Sequence, residues 1–320
     1  MAIEYSKTII FAIFRVFRCR WKAHEVRETL LIMLFPFMSC ESILDAAETC
    51  EIAKKLLYEA VNSFNHYALL LGIRRQGFDR LFQHLEMLKH ADSSVRSRKC
   101  ITLCADDFVR TVRGNMGGLA KPGYSGAAKK VVYGLQCEVL SAVIGENEES
   151  IILDVRIVPP RHDGRGEQRT TLIEWLTAAL NRLQKQMVQE GTTIKGCYIS
   201  VDSAYASGQF WKFALSHGLK IVSEMKSNIL VKSRFWASLI PAGTYFNLFE
   251  IGHMEAFTPI SGDPKILHLR HYVDTNVYGK ILVLLCIVGD EVKHLIASDP
   301  NMKSITIRRH AYRVHSGTKL

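Results

Sequence analysis

Apolar positions recur at helical spacing through the first third of the chain. Leu56, Ala60, Val61 and Phe64 form one such series, and Phe78, Leu81, Phe82, Leu85 and Leu88 form another. Residues 1–98 therefore read as helical. Gly72 separates two apolar helices, and Arg74, Arg75 and Arg80 come after it. A helix-turn-helix that grips DNA is one reading of this region, and plain helical packing is the other. A charged link at 93–99 ends the helical pattern. Residues 100–105 form a short apolar run that ends on Asp106 and Asp107. A glycine-rich connection follows, then a Val- and Leu-rich strand at 131–144 and another strand at 151–158, closed by Pro159 and Pro160.

A helical stripe of Leu172, Leu176, Leu180, Leu183 and Met187 comes next, and Gly191 stops it. Residues 195–201 read as a strand that ends on Asp202. A helix at 208–217, capped by Gly218, and a short strand at 219–223 complete the series. Three strands followed by helix, strand, helix, strand predict a mixed α/β sheet covered by helices. This is the order of the five-stranded ribonuclease-H-like fold, here assigned to 99–223. From 224 to 299 short β-rich runs dominate, at 229–231, 245–251, 266–272, 281–288 and 294–296, with no long helix pattern. This segment reads as a β-rich insertion, and 300–320 as the remnant of a final helix.

Charge narrows the class of partner. Lys and Arg number 41 against 31 Asp and Glu, and the sequence pI is near 9.2. That excess suits a polyanion, nucleic acid before membrane. The apolar stretch 30–38 is far too short for a bilayer, which needs ~20 residues, and arginines from Arg15 onward interrupt the first apolar run. No membrane partner is expected. The eight cysteines include no Cys-x-x-Cys pair, as reduced cysteines of a cytoplasmic protein would be placed.

The candidate chemistry lies in the acids. Asp106 or Asp107 ends the first strand of the sheet and Asp202 the fourth, and in the expected fold those strands are neighbours. Two carboxylates at one edge can hold Mg2+ or Mn2+, and two such ions can cleave a phosphodiester. An Asp at a strand end can equally do no more than cap the next turn.

Several segments resemble the DDE transposases of bacterial insertion sequences. Ile101-Thr102-Leu103-Cys104-Ala105-Asp106-Asp107-Phe108 is similar to the first catalytic strand, and Val201-Asp202-Ser203-Ala204-Tyr205 to the second motif. Ser223-Glu224-Met225-Lys226-Ser227-Asn228 resembles the strand exit after it. The resemblance covers about 99–313. It favours Asp106 over Asp107 as a catalytic metal ligand, although Phe108 stands where the family has Ser or Thr, so Asp107 stays in play. It implies two Mg2+ or Mn2+ ions, cleavage of element ends and strand transfer. The implied partners are double-stranded DNA, as terminal inverted repeats and target, and a second copy of the chain on that DNA. Lys121, Lys129 and Lys130 could touch phosphate. The β-rich insertion is typical of the hairpin-forming, cut-and-paste subgroup, whose insertion carries an aromatic that stacks on a flipped base. Trp236 is the matching residue, with a core Trp as the other reading.

That subgroup carries its Glu in a helical signature of Tyr, two residues, Arg, three residues, Glu, six residues, Lys. Arg313 matches the Arg. His310 then falls at the Tyr and Gly317 at the Glu. The expectation is an impaired or inactive transposase, as a frameshift near Arg313 would leave. The alternatives are a DNA-binding remnant and a metal-dependent nuclease outside transposition.

Overall fold

The computed structural model describes residues 66–92, 101–111, 120–125, 128–145, 149–158, 171–232, 239–252, 256–261, 263–288 and 291–317. The chain divides into two compact units, Met1–Asp79 and Arg80–Leu320. The sheet belongs to the second. The helix-turn-helix reading rests largely on residues outside those described. Helix α1 (His66–Lys89) contains the expected Phe78–Leu88 stripe and runs unbroken through Gly72. A single glycine inside a helix costs only about 1 kcal/mol, which the flanking turns can absorb.

Strand β1 (Ile101–Thr111) is central. Thr102 and Cys104 on one face, and Leu103 and Ala105 on the other, are all fully buried. An uninterrupted apolar run is what a strand covered on both faces requires. The strand does not stop at the two acids, as the sequence suggested, but continues through them to Thr111. Its antiparallel partner β3 (Lys130–Ile144) is longer still. The far edge of β3 is shared. β2 (Lys121–Ser125) pairs its first half and β4 (Glu149–Ile157) its second. β2 lies inside what read as a glycine-rich connection.

Helix α2 (Leu172–Gln189) starts in a capping box, in which the Glu174 N–H donates to Thr171 Oγ1 at 3.2 Å and the Thr171 N–H to Glu174 Oε2 at 2.6 Å. Leu176, Leu180, Leu183 and Met187 are buried as their spacing predicts. Strand β5 (Tyr198–Val201), helix α3 (Gly208–Ser216) and strand β6 (Lys220–Glu224) follow. β5 lies parallel to β1, and β6 parallel to β5.

The sheet does not end at five strands. β7 (Leu230–Lys232), β8 (Leu239–Pro241), β9 (Thr258–Ile260), β10 (Asp263–Thr275), β11 (Gly279–Val288) and β12 (Glu291–Ala297) extend it. The path is β2-β3-β1-β5-β6-β12-β11-β10-β7-β8, with β4 on β3 and β9 on β10, twelve strands among the described residues. The β-rich segment is thus part of one continuous mixed sheet, because β12 pairs antiparallel with β6. It also holds helix α4 (Ala242–Gly252), where a strand was expected at 245–251. A short apolar run without turn residues does not distinguish strand from helix. The start of α4 is tied back, with the Ala242 N–H donating to Ile229 O and the Gly243 N–H to Ser227 O.

Helix α5 (Ser304–Gly317) covers one face of the sheet. Its Ile307 packs with Val222, Leu284, Leu295 and Met302. Its His310 is buried, 2.5 Å from Thr102 Oγ1 through Nδ1 and stacked on Tyr198 at 3.8 Å. Helix α2 covers the opposite face, where the Arg156 guanidinium lies over Trp175 and Arg182 pairs with Asp154 at 2.6 Å.

Two substitutions test this packing. A Cβ at Gly134 would lie 2.3 Å from the Arg110 carbonyl oxygen, on backbone that cannot swing aside. Gly134→Ala should therefore lower stability by about 1–3 kcal/mol or more, read as a fall in Tm. His310→Ala removes a buried ring and its hydrogen bond to Thr102, and should cost about 3 kcal/mol in denaturant unfolding.

Candidate active site

The register of β1 with β5 decides where the acids lie. Cys104 is level with Ser200 and Ala105 with Val201, so Asp106 and Asp202 are the next residues along two parallel neighbours. Alternation puts Asp106 on the face of Thr102 and Cys104, and Asp202 on the face of Tyr198 and Ser200. Both belong to the face that α5 covers, since His310 meets Thr102 and Tyr198 there. Each carboxylate also accepts from the next backbone N–H, Asp107 N to Asp106 Oδ1 at 2.9 Å and Ser203 N to Asp202 Oδ1 at 2.6 Å. Neighbouring strands lie about 4.8 Å apart, so carboxylates at such positions can reach one cation.

Asp107 points the other way. It is level with Glu138 on β3, and its Oδ2 accepts from Gln136 Nε2 at 2.7 Å. Glu138 is buried and ion-paired with Arg156, on the face packed by α2. The strand alternation thus separates the two adjacent aspartates, and Asp106 is the one beside Asp202.

The turn after Asp202 is fixed from two sides. The Tyr205 N–H donates to Asp202 O at 3.0 Å, and Ser207 caps α3 by accepting from the Phe210 N–H. From the β10–β11 turn, the Tyr278 hydroxyl donates to Ala206 O at 2.6 Å and its ring packs on Trp211. Tyr205 is fully buried, and burial, with the charges of Glu138, Asp107 and Asp106, holds its phenol far above the ordinary tyrosine range. Its hydroxyl has no hydrogen-bond partner among the described residues.

A third acid shares the row. Val201 is level with Ser223, so Glu224 follows on β6 as Asp202 follows on β5. Asp202 and Glu224 line a cleft of about 150 Å³ with Val201, Lys293, Leu295, Ala311 and Tyr312. Lys293 Nζ is 3.9 Å from Glu224. In the sequence Glu224 stands inside the strand exit Ser223–Asn228, which does not single it out as a site residue. The signal that would have found it is the one used for Asp202, an acid that closes a short apolar strand. Among the described residues, no group of three His, Cys, Asp or Glu side chains is gathered closely enough to hold a metal ion. Asp106 and Asp202 are the two acids that the β1–β5 register sets side by side.

The other sequence candidates lie apart. Lys121 opens β2, Lys129 sits in the β2–β3 turn with φ of 50°, and Lys130 opens β3. Lys121 is level with Gly134 and so with Thr111, five residues beyond Asp106, or about 16 Å along the strand. These lysines are not beside the carboxylates. Trp236 lies outside the described residues. Arg313 belongs to α5, which continues to Gly317. No described helix is long and apolar enough to cross a membrane.

No family model matches the chain, and no curated protein matches it. Among solved structures, the crystal structure of the NurA nuclease from Sulfolobus solfataricus is similar over 76% of this chain and 83% of that chain, at 11% identity and a TM-score of 0.26. At that level of superposition the likeness says nothing of fold or activity.

The orphaned Tyr205 hydroxyl gives a test of the turn. Removing a buried polar atom that has no partner relieves a desolvation cost, so Tyr205→Phe should stabilise the chain by about 1 kcal/mol. Calorimetry would show it as a raised Tm, and a lowered one would mean that the hydroxyl is hydrogen-bonded in solution.

Proposed function

We propose that this chain is a metal-dependent DNA-cleaving protein of the DDE transposase type, with Asp106 and Asp202 as its paired metal ligands. The observation that carries the reading is the β1–β5 register, which sets these two acids side by side on the face under α5. The strand order around them supports it. β4-β3-β1-β5-β6, with β3 antiparallel to β1 and with β5 and β6 parallel to it, is the order expected of a ribonuclease-H-like core. Strands β7 to β12 then form an insertion between Asp202 and the final helix, as the resemblance to the hairpin-forming subgroup implies.

In this reading Asp106 and Asp202 hold the cation. A bound divalent ion supplies Lewis-acid stabilisation and an activated water. The chain itself supplies position. The Asp107 and Ser203 backbone N–H groups orient the two carboxylates, and Tyr205 and Tyr278 fix the turn behind Asp202. The formal charge of +10 suits duplex DNA, both element ends and target, with a second copy bridging them.

A second reading is a DNA-binding remnant of a transposase that no longer cleaves. Helix α5, Ser304–Gly317, carries no Asp or Glu, so it offers no third carboxylate. A nuclease outside transposition is the remaining alternative. Cleavage of duplex oligonucleotides in Mg2+ decides among them. On the first reading, Asp106→Asn and Asp202→Asn each lose cleavage by orders of magnitude while binding in EDTA is unchanged, and Asp107→Asn loses far less. Cleavage that survives Asp202→Asn overturns it. Salt-sensitive binding with no cleavage by the wild-type chain selects the remnant, and cleavage indifferent to terminal repeats selects the nuclease.

A further inference from the structure

The β2–β3 hairpin carries an exposed aromatic face on the side of the sheet where Asp106 lies. Tyr124 is level with Val131, and Pro122 with Tyr133, so all four share one face. Along β3 that face runs on through Leu135 and Cys137 to Val139, which is level with Asp106. Tyr124 is 65% exposed, Val131 66% and Tyr133 43%. Ile157 on β4, level with Cys137, continues the same face and is 43% exposed. A monomer usually buries such a run of large side chains, and an exposed one marks a binding surface.

The hairpin is held in place. A Cβ at Gly123 would lie 3.0 Å from Val109 Cγ2, and one at Gly134 would meet both Val109 and the Arg110 carbonyl. The two glycines let β2 and β3 close on the end of β1 from the opposite side. The rings therefore stand at set distances from the acids. Tyr133 is six residues from Val139 and Val131 is eight, about 20 Å and 26 Å along the strand. That is the reach of a few nucleotides.

The charge of the segment selects the occupant. From Phe108 to Cys137 the chain holds Arg110, Arg113, Lys121, Lys129 and Lys130 and no Asp or Glu. A two-fold pairing of this face with a second copy would set like charge against like charge. A polyanion with flat, unpaired rings meets both features. Phosphates answer Arg110, which alternation puts on the tyrosine face, and Lys129 in the turn, and bases answer the tyrosines.

We infer that the β2–β3 hairpin is a platform for single-stranded nucleic acid, with bases stacked on Tyr133 and Tyr124 and phosphates at Arg110 and Lys129, leading to or from the acid pair. The inference rests on the nucleic-acid reading proposed above and adds the path of one strand. Stacking needs the ring and not the hydroxyl, and phosphate contact needs the charge and not the ring.

Fluorescence anisotropy with a labelled DNA strand of about 20 bases, in EDTA so that cleavage plays no part, separates these contributions. Tyr124→Ala and Tyr133→Ala should each weaken binding about tenfold, while Tyr124→Phe and Tyr133→Phe stay within about twofold. The slope of log affinity against log salt should not change in the Tyr→Ala variants, and should shrink by about 0.7 for each of Arg110→Gln and Lys129→Gln. Alanine variants that bind as the wild type does, or a wild-type chain that binds no single strand, overturn the platform. So does light scattering that finds a wild-type dimer turned monomeric by Tyr124→Ala with DNA binding intact, since the face would then join copies of the chain. A chain that binds through these tyrosines and cleaves nothing keeps the platform and removes the cleavage reading. A chain that cleaves through Asp106 and Asp202, with Tyr→Ala variants of wild-type affinity, does the reverse.

Discussion

The parallel pairing of β1 with β5 is the contact on which the rest of the molecule depends. It joins segments distant in sequence, and both faces of β1 are buried where it forms. Leu103 and Ala105 face the α2 side and Thr102 and Cys104 the α5 side, all without exposure. The polar atom in that set is satisfied where it must be, the Thr102 hydroxyl by His310. Once the register is set at Ala105–Val201, alternation does the rest. Of two consecutive aspartates, one is delivered to Asp202 and the other to Gln136 and Glu138. A shift of one residue would exchange them, and would drive the Glu138–Arg156 pair out of its seat against Trp175.

Much of this was legible in the chain. The stripe from Leu172 to Met187 could be only an amphipathic helix, and its burial follows from the spacing. The strands closed by Asp202 and by Pro159 were equally plain, because a run of Val, Ile and Leu ended at a turn residue. Other elements were hidden for physical reasons. β2 is written Lys-Pro-Gly-Tyr-Ser, a composition that signals a loop, and it becomes a strand only because β3 is long enough to offer it an edge. Helix α4 is a run of aromatic and aliphatic residues whose period is ambiguous, and backbone hydrogen bonds to Ile229 and Ser227 settle it. The twelve-stranded sheet was not legible at all, since no local pattern announces that β12 will pair with β6. At the site, Asp106 could not be told from Asp107 because the choice is one of register. Glu224 was passed over because it lay in a motif valued for its neighbours.

The segment from β7 to β12 does more than lengthen the sheet. It grips the two segments that bound the acids. From the β10–β11 turn, Tyr278 holds Ala206 in the loop after Asp202. From β10, Arg270 donates to Met302 O at 2.7 Å and to Pro300 O at 2.9 Å, and the Tyr272 hydroxyl donates to Pro300 O at 3.0 Å. Both carbonyls belong to the short turn that precedes α5. The direction of the helix is thus set by β10, a strand three places from β6 in the sheet. Charge-assisted bonds to backbone carbonyls suit that task, because they fix a loop without needing any particular side chain on it.

The return of the chain through β12 also sets which end of α5 meets the acids. β12 runs antiparallel to β6, so it leaves the sheet at the end away from Glu224 and Asp202. There the Ser298 N–H donates to Ile221 O, and Lys220 pairs with Asp299 at 2.9 Å. Helix α5 must then travel back across β6, β5 and β1 toward the acid end. His310 passes Thr102 and Tyr198, and Ala311 and Tyr312 reach the cleft with Asp202 and Glu224. The carboxyl end of a helix carries about half a negative charge. Here Ala311 and Tyr312, within the last two turns of α5, line the cleft with Asp202 and Glu224, and Lys293 stands 3.9 Å from Glu224. A helix laid the other way would bring its positive end to these acids, and the antiparallel return through β12 excludes that direction.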